Sequence, residues 1–231
     1  MDNNRVVLYL MRHGETIMNK AKRVQGWCDG VLTEKGIEVA KSTGIGLSDI
    51  EFKSIYTSDL RRTIKTAKII LGENKSNKDL EICEIEDLRE AYFGKYEGEL
   101  EEVLLRDMLN YLNISSFEDL IKKSNAQKKF VNTCAALDET KRAENYDVLF
   151  KRVMRGLTNV AKEEARKGGG NVLVVIHGGI LRVIIECIDS SFDTKDIDNA
   201  SISKVIYENG RFKVESVNDM SYCEKGQLVG V

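Results

Sequence analysis

The chain contains two histidines, His13 and His177, and each is followed by glycine. His13 comes after a short apolar run at residues 6–11 (Val-Val-Leu-Tyr-Leu-Met) and Arg12. His177 follows Asn-Val-Leu-Val-Val-Ile at 171–176, the strongest buried-strand signal in the sequence. In open α/β sheets, ligands bind beyond the carboxyl ends of the strands. Two strand-His-Gly sequences therefore place both imidazoles on one functional edge. A single histidine after a strand is more often structural; the pair, with no third histidine, points the other way. Glycine after each lets the backbone approach a ligand closely.

Neither histidine lies in an H-x-x-x-H or H-E-x-x-H spacing, and no cysteine or carboxylate cluster adjoins them, so no metal and no other cofactor is expected. Arg12 precedes His13, and Arg61-Arg62 open a helical pattern just after another strand signal. Guanidinium groups converging on a strand-end crevice suit bidentate recognition of phosphate. Arg61 and Arg62 are adjacent, so one faces inward and the other lies on a solvated face. A phosphoryl group held this way would be attacked by an imidazole nitrogen. That requires one ring nitrogen unprotonated and the other held by an acceptor. The hydroxyls of Thr16 and Ser58 would need an adjacent base, and none is evident from spacing. No Gly-x-x-x-x-Gly-Lys-Ser/Thr loop occurs, which counts against a P-loop kinase. Among 37 acidic residues, Glu90, before Ala91-Tyr92-Phe93-Gly94, is the carboxylate best placed to protonate a departing alkoxide.

The elements that must position these residues alternate along the chain. Strands are expected at 6–11, 54–57, 80–88 and 171–176. Thr33 caps a helix over 34–43, and Ser58 caps another in which Leu60, Ile64, Ala67 and Leu71 recur before Gly72 stops it. A long amphipathic helix spans 146–166, with Phe150, Val153, Leu157, Val160 and Ala161 on one face, and an apolar helix spans 180–188. Runs at 202–208 and 211–217 flank Asn209-Gly210, a hairpin signal because both turn positions favour positive φ. The segment at about 99–145 is polar and helical in propensity, with apolar clusters at Val103-Leu104-Leu105, Met108-Leu109, Phe117 and Leu120-Ile121. It reads as a helical cap inserted into a single domain spanning 1–231, and Lys122, Lys123, Lys128 and Lys129 as its solvated face. Strands alternating with helices give a three-layer α/β/α fold with a mostly parallel central sheet.

With 231 residues and 42% hydrophobic content, the chain can bury a substantial core. Its 35 Lys+Arg against 37 Asp+Glu leave a charge of −2, which argues against a polycationic nucleic-acid binder. No apolar run approaches the roughly 18 residues that span a bilayer, so no membrane partner is expected. The N-terminus lacks a basic and apolar leader, which predicts a cytoplasmic protein. Five scattered cysteines without a C-x-x-C are expected as reduced thiols. Proline is absent, and nothing physical in the sequence explains that absence.

These residues also fall into motifs. Leu10-Met11-Arg12-His13-Gly14-Glu15-Thr16, with Asn19, resembles the R-H-G-E-[ST]-x-x-N signature of the histidine phosphatase superfamily, also called phosphoglycerate-mutase-like. Gln25-Gly26-Trp27-Cys28-Asp29-Gly30-Val31-Leu32-Thr33-Glu34-Lys35-Gly36 resembles its Q-G-W-x-D-x-P-L-T-x-x-G segment. Ser58-Asp59-Leu60-Arg61-Arg62-Thr63-Ile64-Lys65-Thr66-Ala67 resembles S-x-L-x-R-x-x-x-T-A, which selects Arg62 as the inward arginine. Leu88-Arg89-Glu90-Ala91-Tyr92-Phe93-Gly94-Lys95-Tyr96-Glu97-Gly98 resembles L-x-E-x-x-F-G-x-[WY]-E-G, and Val175-Ile176-His177-Gly178-Gly179 the late V-x-H-G-G. Five motifs stand in the family's order over nearly the whole chain. Val31 and Asp59 replace two family prolines and touch none of the chemistry.

The resemblance implies a catalytic set of His13, Glu90, His177, Arg12 and Arg62, with His13 transiently phosphorylated and Glu90 exchanging the proton. It implies contacts to substrate from Arg12, Asn19, Gln25, Gly26, Arg62, Glu90, His177 and Gly178, and no metal. In mutases of the family, arginine typically follows the glutamate; here it is Ala91, which favours hydrolysis. The expectation is a metal-independent phosphomonoesterase acting on a small phosphorylated metabolite: a sugar phosphate, a phosphoglycerate-like acid or a phosphoester such as α-ribazole phosphate, ahead of a phosphoprotein. A 2,3-bisphosphoglycerate-dependent mutase is the first alternative, and an inactive binding module of the same fold the second. Cys28, inside the second motif, is expected to be a bystander rather than a redox-sensitive thiol. The edge near the terminal hairpin could pair two copies into a homodimer.

Overall fold

The computed structural model describes residues 4–74, 80–116 and 126–229. Six strands form one sheet in the order β3-β2-β4-β1-β5-β6. They are β1 (Val6–Arg12), β2 (Phe52–Thr57), β3 (Ile82–Glu84), β4 (Gly170–Ile176), β5 (Ile202–Glu208) and β6 (Arg211–Asp219). The pairs β3/β2, β2/β4 and β4/β1 are parallel, whereas β5 runs antiparallel to β1 and to β6. Parallel strands covered on both faces read as continuous apolar runs, which is what the β1 and β4 sequences are.

Each face has its own core. Val6, Leu8, Leu10, Val172, Val174 and Ile176 point into one, packed against α6 (Tyr146–Arg166) and α7 (Gly178–Ile188). Tyr9, Met11, Leu173 and Val175 point into the other, where Ala67 and Ile70 of α3 (Arg61–Glu73) and Tyr222 of α8 (Ser221–Val229) meet them. The alternation of residues along β1 and β4 thus separates two helical layers with the sheet between them. On α6, Val153, Leu157, Val160 and Ala161 are buried as expected, but Leu149 rather than Phe150 fills the first place of the stripe, Phe150 being only partly buried.

Helix α2 (Glu34–Gly46) is capped by the Thr33 hydroxyl, which accepts from Gly36 N–H. It runs three residues past the expected end. Gly44 and Gly46 are contact points rather than breaks: a Cβ on Gly44 would lie 3.1 Å from the Ile70 backbone, and one on Gly46 would collide with the Tyr222 carbonyl. The hairpin turn has Asn209 and Gly210 at φ 51° and 77°, as its sequence requires.

Two expectations need correction. Ser58 does not cap α3; Leu60 occupies that position without a side-chain bond, and the helix continues through Gly72 to Glu73. The strand expected over 80–88 is paired only at Ile82–Glu84. Its partner β2 ends at Thr57, whose carbonyl takes the last bond from Ile85, and the chain then turns through a 3-10 segment at Glu86–Leu88.

The expected insertion contributes α4 (Glu101–Leu112) and α5 (Ala126–Leu137). Leu104, Met108 and Cys134 from these helices bury a small core with Val24 and Tyr96. The clusters at Phe117 and Leu120-Ile121, and Lys122 and Lys123, lie outside the described residues. Lys128 is exposed and pairs with Asp147 at 3.5 Å. A short helix, α1 (Ile17–Lys20), completes the elements around the site.

Candidate active site

Register builds the site. Arg12 pairs with Ile176 across β1 and β4, so the next residues, His13 and His177, emerge side by side. His13 N–H donates to the Ile176 carbonyl at 3.0 Å, and the two rings lie 5.3 Å apart at 63°. Both histidines are buried, at 3% and 0% exposure.

The two nitrogens of His13 have different surroundings. Nδ1 lies 2.9 Å from the carbonyl of Gly14, which can only accept, so Nδ1 carries the proton. Nε2 is left with a lone pair, and the Arg62 Nε–H donates to it at 3.3 Å. Burial, then the charges of Arg62 and Arg12, hold the His13 pKa well below its ordinary range, against a smaller upward pull from Gly14. Burial and then Arg62 do the same to His177. Both rings are neutral at neutral pH.

That neutrality has a sign. Below the ordinary histidine pKa of 6.5, the unfolded chain binds protons that the folded chain refuses, so stability falls as pH falls. Above that value the contribution is complete and flat. Each histidine adds up to about 1.4 kcal/mol per pH unit to the slope in that window. Urea midpoints for the wild type and His13→Ala between about pH 5 and 8 should differ in slope by close to one proton on the acid side only. Equal slopes would mean that His13 takes up a proton in the folded state.

Of the adjacent arginines, Arg62 faces inward with 1% exposure, and Arg61 is exposed. The Arg62 guanidinium donates to the carbonyls of Gly26 at 2.6 Å and Cys28 at 3.0 Å, and pairs with Asp29 at 3.2 Å. Arg12 Nη1 donates to the Ile197 carbonyl. Glu90 is buried beside them: its carboxylate accepts from Ala91 N–H at 2.9 Å and from Gly179 N–H, in the first turn of α7, at 2.8 Å. A Cβ on Gly179 would strike this carboxylate at 2.5 Å, and one on Gly178 would lie 3.2 Å from Arg12 Nε. Glycine at both positions is what allows α7 to start against the cluster.

Three buried side-chain nitrogens here, Arg12 Nε, Gln25 Nε2 and His177 Nδ1, have no hydrogen-bond partner among the described residues. Gln25 is oriented by the Thr16 hydroxyl, 2.7 Å from its Oε1. Asn19 Oδ1 accepts from Thr16 N–H at 3.2 Å, closing the capping box in which Thr16 caps α1. Gly26 serves through its carbonyl, and a side chain there would collide with Ala91 and Glu97. Arg12, His13, Arg62, Glu90, His177 and Gly178 are thus brought into one cluster, with Asn19, Gln25 and Gly26 joined to its rim through Thr16 and Arg62.

Several contacts at the site were not legible in the sequence, and one corrects an expectation: Ser58, a hydroxyl with no adjacent base by spacing, has a ring nitrogen beside it. Ser58 Oγ lies 2.7 Å from His177 Nε2, a serine-histidine contact across 119 positions. Asn199 Nδ2 donates to the His13 carbonyl at 2.9 Å, and Thr66 Oγ1 accepts from Gly14 N–H at 3.0 Å. Arg152 donates to the carbonyls of Asp87, Arg89 and Glu90 at 2.9, 2.8 and 3.1 Å and grips Glu144 with two nitrogens, which fixes the segment carrying Glu90. Arg152 had a signal: it sits on the apolar stripe of α6, where a charged residue needs buried partners. Asn199 had none. At the rim, Trp27 packs on Tyr92 with centroids 5.0 Å apart, and its indole N–H donates to the Glu90 carbonyl at 2.8 Å. Burial and Glu97 push the Cys28 thiol up to about 12, which disfavours its thiolate.

Comparison with known proteins agrees with this geometry. The model of the histidine phosphatase superfamily (branch 1) matches residues 8–220. A metal-independent phosphoserine phosphatase of Arabidopsis thaliana is 30% identical over 216 residues, covering 93% of this chain and 82% of its own. A 2,3-bisphosphoglycerate-dependent phosphoglycerate mutase of Cytophaga hutchinsonii is 28% identical and covers 87% of each chain. The crystal structure of a phosphoglycerate mutase from Bacillus anthracis superimposes with a TM-score of 0.93 at 41% identity, covering 98% of each chain. The chain therefore belongs to the histidine phosphatase superfamily (branch 1) and is a phosphatase of that type.

Proposed function

We propose that this protein hydrolyses small phosphomonoesters through a phosphohistidine on His13 Nε2. The observation that carries the proposal is the fixed tautomer of His13: Nδ1–H on the Gly14 carbonyl, Nε2 unprotonated beside Arg62. In the first step, the Nε2 lone pair forms a bond to phosphorus as the bond to the alkoxide oxygen breaks. Protonated Glu90 gives that oxygen its proton. In the second step, water attacks phosphorus and passes a proton to the Glu90 carboxylate. The N–P electron pair returns to Nε2, and phosphate leaves. Arg12 and Arg62 supply fixed positive charge to the phosphoryl oxygens, the role a metal ion fills elsewhere. No step needs a cofactor.

The helices α4 and α5 form the inserted cap that limits access, which favours small soluble substrates over phosphoproteins. Ala91 after the glutamate favours water over a second substrate hydroxyl. The likeness to a phosphoglycerate mutase at 41% identity supports the opposite outcome as a second reading. A panel of phosphorylated metabolites, including phosphoserine and 3-phosphoglycerate with 2,3-bisphosphoglycerate as primer, decides between them. Phosphate release should exceed isomer exchange on every member. Exchange faster than release would establish the mutase. Neither phosphate release nor isomer exchange on any member, with no label trapped on His13, would leave a binding module.

A further inference from the structure

We infer that Ser58 is a positioning residue: its hydroxyl donates to His177 Nε2 and so holds the ring proton on Nδ1, the nitrogen that faces the phosphoryl oxygens. The inference rests on the proposed phosphoryl site but has its own geometry. Ser58 and His177 are both 0% exposed, and their contact is 2.7 Å.

The protons can be assigned by elimination. The Thr63 hydroxyl has two carbonyl acceptors, Ser58 at 2.8 Å and Leu60 at 2.7 Å, so its proton is directed to backbone. Ser58 Oγ already accepts from Leu60 N–H at 3.3 Å. Its own proton then has two acceptors, His177 Nε2 and, at 2.9 Å, Thr63 Oγ1. His177 is neutral and has one ring proton to place. Its Nδ1 is buried and has no partner among the described residues. A lone pair there would repel an anionic phosphoryl oxygen, whereas an N–H would donate to it. Only Ser58 donating to Nε2 satisfies both nitrogens when an anion is bound. Without that hydroxyl, the ring is free to put its proton on Nε2 and present a lone pair to the substrate.

With two histidines in the chain, nitrogen-15 NMR of the imidazoles reads the tautomers directly. In the wild type, both rings should show protonated Nδ1 and unprotonated Nε2. In Ser58→Ala, His177 alone should move toward the Nε2–H form. Inorganic phosphate should bind about tenfold to a hundredfold more weakly, and kcat/KM for the best substrate should fall by a similar factor. The melting temperature should change by only a few degrees. A wild-type His177 with its proton on Nε2 overturns the inference even if Ser58→Ala does not fold. An unchanged tautomer and unchanged phosphate affinity in a folded Ser58→Ala also overturn it. Failure of the phosphatase reading would look different, as absence of turnover in the wild type.

Discussion

His13→Ala should lose phosphatase activity by roughly four orders of magnitude or more while remaining folded. The size follows from what is removed. Nε2 is the atom that bonds to phosphorus, and no neighbouring group can replace it: Ser58 is turned toward His177, and His177 Nε2 is engaged by Ser58. Arg12 and Arg62 would remain to bind the phosphoryl group, so affinity for phosphate should survive better than turnover. The direct measurement is a denaturing alkaline quench after mixing with labelled substrate, conditions in which an N–P bond persists. Label should appear on the wild type and be absent from His13→Ala. Full activity in the variant would assign the nucleophile elsewhere.

Glu90→Gln should slow hydrolysis of alkyl phosphomonoesters by about 10²–10⁴-fold. Glutamine keeps the volume and one acceptor but cannot give or take the proton. The loss should depend on the leaving group. A p-nitrophenolate departs without protonation, so phosphorylation of His13 by p-nitrophenyl phosphate should stay fast. Dephosphorylation still needs a base for water, so the variant should show a burst of p-nitrophenol and accumulate phosphoenzyme. Equal losses on both substrates without a burst would reduce Glu90 to its observed contacts, acceptance from Ala91 and Gly179 N–H. Since glutamine places an N–H₂ where one of those N–H groups now donates, a melting curve is needed to separate local rearrangement from chemistry.

The elements that carry the site were legible because their signals are local. The apolar runs of β1 and β4 are covered on both faces, and such strands cannot be polar at either face. The glycine after each histidine marked a close approach: a Cβ on Gly14 would lie 2.8 Å from the Gly36 carbonyl, and one on Gly178 3.2 Å from Arg12 Nε. Where the sequence misled, the deciding partner was distant. A strand over 80–88 fits its own residues, but β2 stops at Thr57, whose carbonyl takes its last bond from Ile85, and leaves 86–88 no strand to pair with. Ser58 sits at a plausible helix start, yet its hydroxyl is drawn to a ring 119 positions away.

The sequence by itself determined the layer order, the pair of strand-end histidines and the list of charged groups that must gather beside them. The tertiary structure alone decided which nitrogen of His13 is free, which arginine holds the segment behind Glu90, and that Ser58 meets His177 and Asn199 meets His13. The physical reason is that proton placement depends on acceptors a few ångströms away, such as the Gly14 carbonyl at 2.9 Å from Nδ1. Which acceptors lie there is set by the register between β1 and β4 and by the loops beyond their ends, not by spacing along the chain.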